Sequence, residues 1–199
     1  MASGEVETID TKDRAAWRRW LERNHRKASA VWLIRPKKGS ARTSVSYDES
    51  VEEALCFGWI DAKTRSVDDE HYLHLFTPRR PRSEWSASNK KRVAALTRAG
   101  LITPAGLAAI ETAKRNGSWN ALDGVEALTM PEDLAASLAG NARAKRHFDA
   151  FSPSTRKGFL AWIAKAKRPE TRAKRVAATV RLSARNIKIQ DATPEDRRG

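Results

Sequence analysis

The chain has 199 residues, of which 40% are hydrophobic and seven are tryptophan. This length allows one large domain or two small ones, and the apolar content excludes a wholly disordered chain. The net charge is +14 at pH 7, and residues 141–189 carry +12 of it, with fourteen basic and two acidic residues. A basic segment of this kind indicates either an anionic partner (nucleic acid, phosphorylated lipid or an acidic protein) or helices with solvated basic faces.

The sequence also argues against a secreted or membrane-spanning protein. Its first residues, MASGEVETIDTKDR, lack a basic segment followed by an apolar one, so no secretory signal is expected. No run approaches the roughly 18 apolar residues that cross a bilayer. The single cysteine, Cys56, lies in an apolar run and is expected to pack as a small hydrophobic side chain. We therefore expect a cytoplasmic protein.

The first third of the chain predicts helices mixed with short strands. A helix starting near Asp10 would place three large side chains on one stripe: Trp17, Trp20 and Leu21. Residues 30–35, AVWLIR, predict a buried strand, which Pro36 ends before an exposed loop. Ser46 and Glu49 form an S-x-x-E capping box for the next helix, with a left-handed C-cap at Gly58.

An antiparallel hairpin is predicted next, from strands at residues 59–67 and 71–77 around the turn DDE. Strict alternation along the first strand would put four side chains on one face: Trp59, Asp61, Lys63 and Arg65. The spacing of His71 and His74 puts their rings on opposite faces of the second strand. The sequence therefore predicts no metal site and no cofactor.

The rest of the chain is predicted to be helical. Ser86 and Thr103-Pro104 begin two helices, and after a connector with a capping signal at 129–132 further helices begin near Asn141, Ser152 and Pro169. The last of these would have one apolar side, made of Ala173, Ala177, Val180 and Ala184. The predicted class is α+β: a domain with a small antiparallel or mixed sheet over 1–127, an all-α basic domain over 128–189, and a loose tail over 190–199.

Several blocks carry a family resemblance. The blocks are YDESVEEALCFGWIDAKT, FTPRRPRSEWSASNKKRVAAL and GLITPAGLAAIETAKRNGSW, followed by the helical stretch that begins at PEDLAASLAGN. Together they resemble the YdeI/OmpD-associated, or bacteriocin-protection, family from about Trp17 to Leu182. The resemblance implies a link to resistance against bacteriocins and cationic peptides and to an outer-membrane porin. It implies no defined reaction and no defined ligand.

The hairpin and the following arginine-rich segment suggest a candidate site. An ionised Asp61 beside a hydrophobic wall needs a partner, and the hairpin returns the chain to Arg79 and Arg80 next to it. One interpretation is an internal Asp–Arg clamp. The other is a pocket for a small anionic ligand, with stacking walls and helix-start donors. Its candidate residues are Trp59, Asp61, Lys63, Arg79, Arg80, Trp85, Ser86 and Asn89.

The basic C-terminal half suggests a second site, for polyanions. Its candidate residues are Lys165, Lys167, Arg168, Arg172, Lys174 and Arg175. Phe159, Leu160 and Ile163 are expected in the core, which leaves no exposed aromatic ring for base stacking. Nucleic-acid binding is therefore expected to be weak and independent of sequence.

Three functions remain open from the sequence. The first is a non-catalytic, cytoplasmic, stress-protective protein of the family named above, with a candidate site for a small anion near Asp61, Arg79 and Trp85. The second is a nucleic-acid-associated protein that binds phosphates through its basic helices. The third is an enzyme on a small anionic substrate, which the absence of a nucleophile elbow, phosphate-binding loop or dinucleotide fingerprint disfavours.

Overall fold

The computed structural model describes residues 6–37, 40 and 43–197, and the chain forms two compact units divided between Asn120 and Ala121. The α+β class is confirmed: the first unit combines a sheet with helices, and the described residues of the second unit form helices and connecting segments. The loop predicted after Pro36 lies partly outside the described residues.

A four-stranded mixed sheet, in the order β1-β2-β4-β3, forms the base of the first unit. The strands are β1 Thr8–Ile9, β2 Val31–Pro36, β3 Trp59–Ser66 and β4 His71–Pro78. β1 runs parallel to β2, and β4 pairs antiparallel with both β2 and β3. The predicted hairpin is confirmed to within one residue. The sequence predicts no strand at β1, because two residues carry no periodicity.

The described residues of the first unit also form four helices: α1 Arg14–Asn24, α2 Tyr47–Cys56, α3 Ala87–Arg98 and α4 Pro104–Arg115. The prediction that α1 starts near Asp10 is wrong, because Asp13 is the N-cap and accepts a hydrogen bond from the Ala16 amide at 2.7 Å. The Ser46–Glu49 capping box of α2 is confirmed. α2 ends before Gly58, whose φ of 74° is the predicted left-handed conformation.

The core of this unit lies between the sheet and the helices. Trp17 is fully buried, and its ring lies 5.3 Å from that of Trp20 and 5.4 Å from that of Phe76. Cys56 is also fully buried, and desolvation raises the pKa of its thiol to about 11. Cys56 therefore packs as a hydrophobic side chain and stays a neutral thiol, as expected.

A buried carboxylate ties α1 to α2. The Glu53 side chain is 2% exposed and accepts from Arg14 Nε at 2.6 Å and from Arg18 Nη1 at 2.8 Å. Its neighbour Glu52 accepts from Arg14 Nη1 at 2.9 Å but is far more exposed. The two arginines offset the cost of burying the Glu53 charge.

The second unit is described as six helices around an aromatic and aliphatic core. They are α5 Asp123–Glu126, α6 Glu132–Ala139, α7 Ala142–Ala150, α8 Pro153–Ala164, α9 Pro169–Ala184 and α10 Pro194–Arg197. Phe159 and Ile163 are fully buried and Leu160 nearly so, as predicted. The predicted caps at Asn141 and Ser152 are also confirmed, since each side chain accepts from a backbone amide of the first turn.

Three predictions for the second unit are wrong in detail. The residue that caps α6 is Pro131, and no side chain caps this helix. On α9, Ala173 and Ala177 are exposed, although Val180 and Ala184 pack against the core as predicted. The buried side carries Val176, Ala178, Thr179, Leu182 and Ser183. The tail is ordered through residue 197, since Ala192 is 7% exposed and Arg185 pairs with Asp196 at 2.8 Å.

Candidate functional site

Arg79 occupies a defined position directly after β4. Its backbone amide donates to the Gly58 carbonyl at 2.9 Å, so the chain is anchored where β3 begins. Pro78 pairs with Trp59 at the end of the β3–β4 ladder, and its ring restricts the backbone there. The Arg79 side chain therefore starts from a fixed point between the sheet and the segment that leads to α3.

The Arg79 guanidinium is partly buried and has few partners. Its Cζ lies 3.7 Å from the centroid of the Trp85 ring, and its Nη2 donates to the Glu84 carbonyl at 2.8 Å. Its Nε and Nη1 are buried and have no hydrogen-bond partner among the described residues. A guanidinium offers five N–H donors, so most of this group's capacity is unused.

The electrostatics of Arg79 reflect this shortage of partners. Burial lowers the pKa of Arg79 to about 10, and the attraction of Asp61 only partly opposes this shift. The described chain gives Arg79 no carboxylate in ion-pair contact. Arg79 is thus a shielded cation at neutral pH, and an anion placed beside it would gain both charge attraction and free donors.

A cavity of about 210 Å³ lies against this cation. It is lined by Arg79, Arg80, Pro81, Trp85, Ala108, Ala109 and Thr112. The Trp85 ring is held from another side by Trp119, with ring centroids 4.9 Å apart. Because α4 contributes two alanines and one hydroxyl, the cavity combines a cationic end with mostly apolar walls.

Asp61 does not form the predicted clamp with Arg79 or Arg80. Its Oδ2 accepts from the Tyr47 hydroxyl at 3.1 Å and lies 3.6 Å from His74 Nε2. His74, and after it Tyr47, lower the pKa of Asp61, while burial opposes the shift. The clamp prediction is wrong in its partner. His74 on β4 lies on the same face of the sheet as Asp61 and contacts it before the chain reaches Arg79.

The predicted companions Trp59 and Lys63 lie elsewhere. Trp59 is 1% exposed, and its indole nitrogen donates to the His25 carbonyl at 3.2 Å, so it is a core residue. A bulge between Asp61 and Thr64 inserts an extra residue into β3. Lys63 therefore lies over the Trp32 ring at 5.8 Å, on the face of the sheet opposite Asp61.

Ser86 and Asn89 lie at the start of α3, where their side chains make contacts within the helix. The Ser86 hydroxyl accepts from the Asn89 amide at 3.3 Å, and the Asn89 side chain accepts from Arg92 at 3.2 Å. Of the eight predicted site residues, the cavity brings together three: Arg79, Arg80 and Trp85. The wall from α4 could not be predicted from the sequence, since alanines in a helix give no signal for a cavity.

The predicted polyanion residues divide into two groups. Lys165, Lys167, Arg168 and Lys174 are exposed, and none has an ion pair with another described residue. By contrast, Arg172 donates two hydrogen bonds to Asp133, at 2.6 and 2.9 Å, and its charge is already compensated. Arg175 is partly buried against Trp162.

Two protein-family models match the chain, one in each half. Residues 9–109, about half of the chain, match the model of a domain of unknown function (DUF8412). The chain belongs to this family. Residues 127–186 match the model described as Bacteriocin-protection, YdeI or OmpD-Associated. This second match confirms the resemblance for the helical part, whereas the GWID and TPRRPRSEWS blocks fall within the DUF8412 match. No curated protein and no solved structure matches the chain.

Two other features bear on function. Among the described residues, no group of three or more His, Cys, Asp or Glu side chains is arranged to hold a metal ion. Within the same residues, no helix combines the length and apolarity needed to cross a bilayer.

Proposed function

We propose that this protein is a non-catalytic, cytoplasmic, stress-protective protein that binds a small anionic ligand in the Arg79 cavity. The observation that carries the proposal is the partly buried Arg79 guanidinium, whose Nε and Nη1 are buried without a hydrogen-bond partner and which has no carboxylate partner among the described residues. Buried charges in proteins are ordinarily paired, so an unpaired one beside a cavity indicates a missing anion. The bacteriocin-protection description of the second unit supports the stress-protective part.

The cavity lining favours binding over chemistry. Thr112 supplies a hydroxyl, but the lining includes no carboxylate, imidazole or thiol in the described chain. Such a site has no general base beside the anion. The walls from Pro81, Trp85, Ala108 and Ala109 suit a ligand with an apolar body and one anionic head, such as a small carboxylic acid.

Thermal unfolding with small anions tests this proposal. The probes are acetate, benzoate and inorganic phosphate, added to the wild-type protein and to Arg79→Met. We expect benzoate to raise the melting temperature of the wild type and to have no effect on Arg79→Met, because only a ligand that binds the native state stabilises it. Arg82→Met is the matched control, since Arg82 is exposed in the same segment.

Two results would contradict the proposal. One is the absence of any shift with all three anions at millimolar concentration. The other is an equal shift in the wild type and Arg79→Met, which would place binding elsewhere. The stress-protective part is tested separately, by comparing the bacteriocin sensitivity of cells that express the wild type, Arg79→Met or neither.

A further inference from the structure

Trp162 lies on α8 on the side away from the core. Its neighbours Phe159, Leu160 and Ile163 are buried, but Trp162 itself is partly exposed. No aromatic ring of this unit is fully exposed among the described residues, as expected, but Trp162 is partly accessible. A large aromatic side chain left partly in water, on a helix that otherwise buries its large residues, is a candidate contact surface.

Arg175 on α9 holds this tryptophan in place. Its Nη1 donates to the Trp162 carbonyl, and its Cζ lies 5.5 Å from the centroid of the ring. The Thr179 hydroxyl donates to the Arg175 carbonyl at 2.8 Å. The ring and the guanidinium thus form a single fixed group, within the range of a cation–π contact.

The surrounding charge is almost entirely positive. Between Arg156 and Lys188 there are eleven basic residues, and Glu170 is the one acidic residue. Acidic side chains elsewhere in the unit compensate three of them: Lys157, Arg172 and Arg185. The connection from α8 to α9 carries Lys165, Lys167 and Arg168, which are exposed and without an ion pair in the described chain.

Lys165 lies three residues after Trp162, at the C-cap of α8, so both side chains project from the same face of the helix. Arg175 approaches the same ring from α9. An aromatic face flanked by cations on two helices is the arrangement with which proteins hold single-stranded nucleic acid. Bases stack on the ring while phosphates meet the basic side chains.

We propose that Trp162, Lys165, Arg168 and Arg175 form a binding site for single-stranded nucleic acid. A duplex keeps its bases stacked internally, so it would meet only the charges of this surface. An acidic peptide or an anionic membrane would likewise contact only the basic side chains and make no stacking contact with the Trp162 ring. The ring therefore selects the ligand class, and the proposal does not depend on the Arg79 cavity.

Fluorescence anisotropy with the full chain tests the proposal. The probes are a labelled oligothymidine and a labelled duplex of the same length, at low salt. Replacing Trp162 by leucine keeps an apolar side chain but removes the ring. We expect Trp162→Leu to weaken oligothymidine binding about 10-fold or more and to change duplex binding less than about 3-fold.

Two further variants separate the site from the general charge of the unit. Lys165→Ala/Arg168→Ala changes only exposed residues, and it should lower the salt slope for oligothymidine by about 1.4. Arg143→Ala, exposed on α7 and outside this site, should weaken oligothymidine binding less than about 3-fold.

Thermal unfolding checks that each variant folds, and Trp162→Phe, which retains a ring, should keep most of the binding.

Three outcomes would overturn the proposal. The first is no oligothymidine binding at low salt by the wild type. The second is an equal loss of single-strand and duplex binding in Trp162→Leu. The third is a loss in log K for Arg143→Ala that is half or more of the loss for Lys165→Ala/Arg168→Ala, since one charge against two would then account for binding by total charge alone.

Discussion

The guanidinium of Arg79 lies 3.7 Å from the centroid of the Trp85 ring, with two of its nitrogens buried and unpartnered among the described residues. The ring attracts the cation but cannot satisfy its N–H groups. A carboxylate is the usual strong hydrogen-bond partner of a guanidinium group in a protein. Here the carboxylate that attracts Arg79 is Asp61, which is already in contact with His74 and Tyr47.

Arg79→Met is expected to change the free energy of unfolding by less than about 1 kcal/mol. The variant loses a cation–π contact and one hydrogen bond, each worth about 1 kcal/mol. It also removes buried donors without partners, and the relief of their desolvation penalty offsets a similar amount. Urea denaturation without added anions measures the difference. A loss above about 3 kcal/mol would mean that Arg79 holds the fold together rather than awaiting a ligand.

Asp61→Asn is expected to lower the free energy of unfolding by about 1 kcal/mol at pH 7, because Asp61 is only partly buried. The lowered pKa of Asp61 means that the folded state binds fewer protons than the unfolded state near pH 3.8. Its stabilisation is thus present above that pH and lost below it. Urea denaturation should show the difference between variant and wild type shrinking from pH 5 to pH 2.

A matched control for Asp61 is Tyr47→Phe, which removes only the hydroxyl that donates to Asp61. We expect it to cost about 0.5–1 kcal/mol at pH 7. A gap between Asp61→Asn and wild type that stays constant down to pH 2 would contradict the role assigned to His74 and Tyr47.

Glu53→Gln and Glu52→Gln should differ sharply although the two residues are adjacent. Glu53 is 2% exposed and pairs with both Arg14 and Arg18, so its neutralisation should cost about 2–4 kcal/mol. Glu52 is 29% exposed and pairs only with Arg14, so its neutralisation should cost less than about 1 kcal/mol. Equal losses in chemical denaturation would show that burial does not set the strength of this cluster.

The division of the chain can be tested with fragments. A fragment of residues 121–199 contains α5, and its Val125 packs with Leu128 against the helical core. We expect it to unfold cooperatively by circular dichroism. A fragment that starts at the predicted boundary, residue 128, lacks α5 and should melt at a lower temperature. Identical melting of the two fragments would support the boundary predicted from the sequence.

Local sequence signals predicted most of the elements, because caps and turns act over a few residues. Ser46 with Glu49, Ser86 and Thr103 each fixed a helix start that the structure confirms. The misses depend on distant parts of the chain. β1 is a strand only because β2 lies beside it, and α9 turns Val176 and Leu182 inward because the core formed by the other helices of its unit lies on that side.

The candidate site was predicted only in part, for the same reason. The arginine cluster and Trp85 are visible in the sequence, but the partner of Asp61 depends on the register that places Phe76 opposite it and His74 two residues before Phe76 on β4. The bulge after Asp61 turned Lys63 to the other face, and no glycine or proline marks it. The partial exposure of Trp162 could not be predicted, because its apolar neighbours Phe159, Leu160 and Ile163 all face the core.

The burial of Cys56 makes the protein convenient for site-specific labelling. It is the single cysteine of the chain, it is fully buried, and its pKa of about 11 keeps it protonated at neutral pH. Since alkylating dyes react with the accessible thiolate, the native protein should stay unmodified by maleimides. A cysteine introduced at an exposed position in either unit would therefore carry a fluorophore at a unique place, without first removing a native thiol.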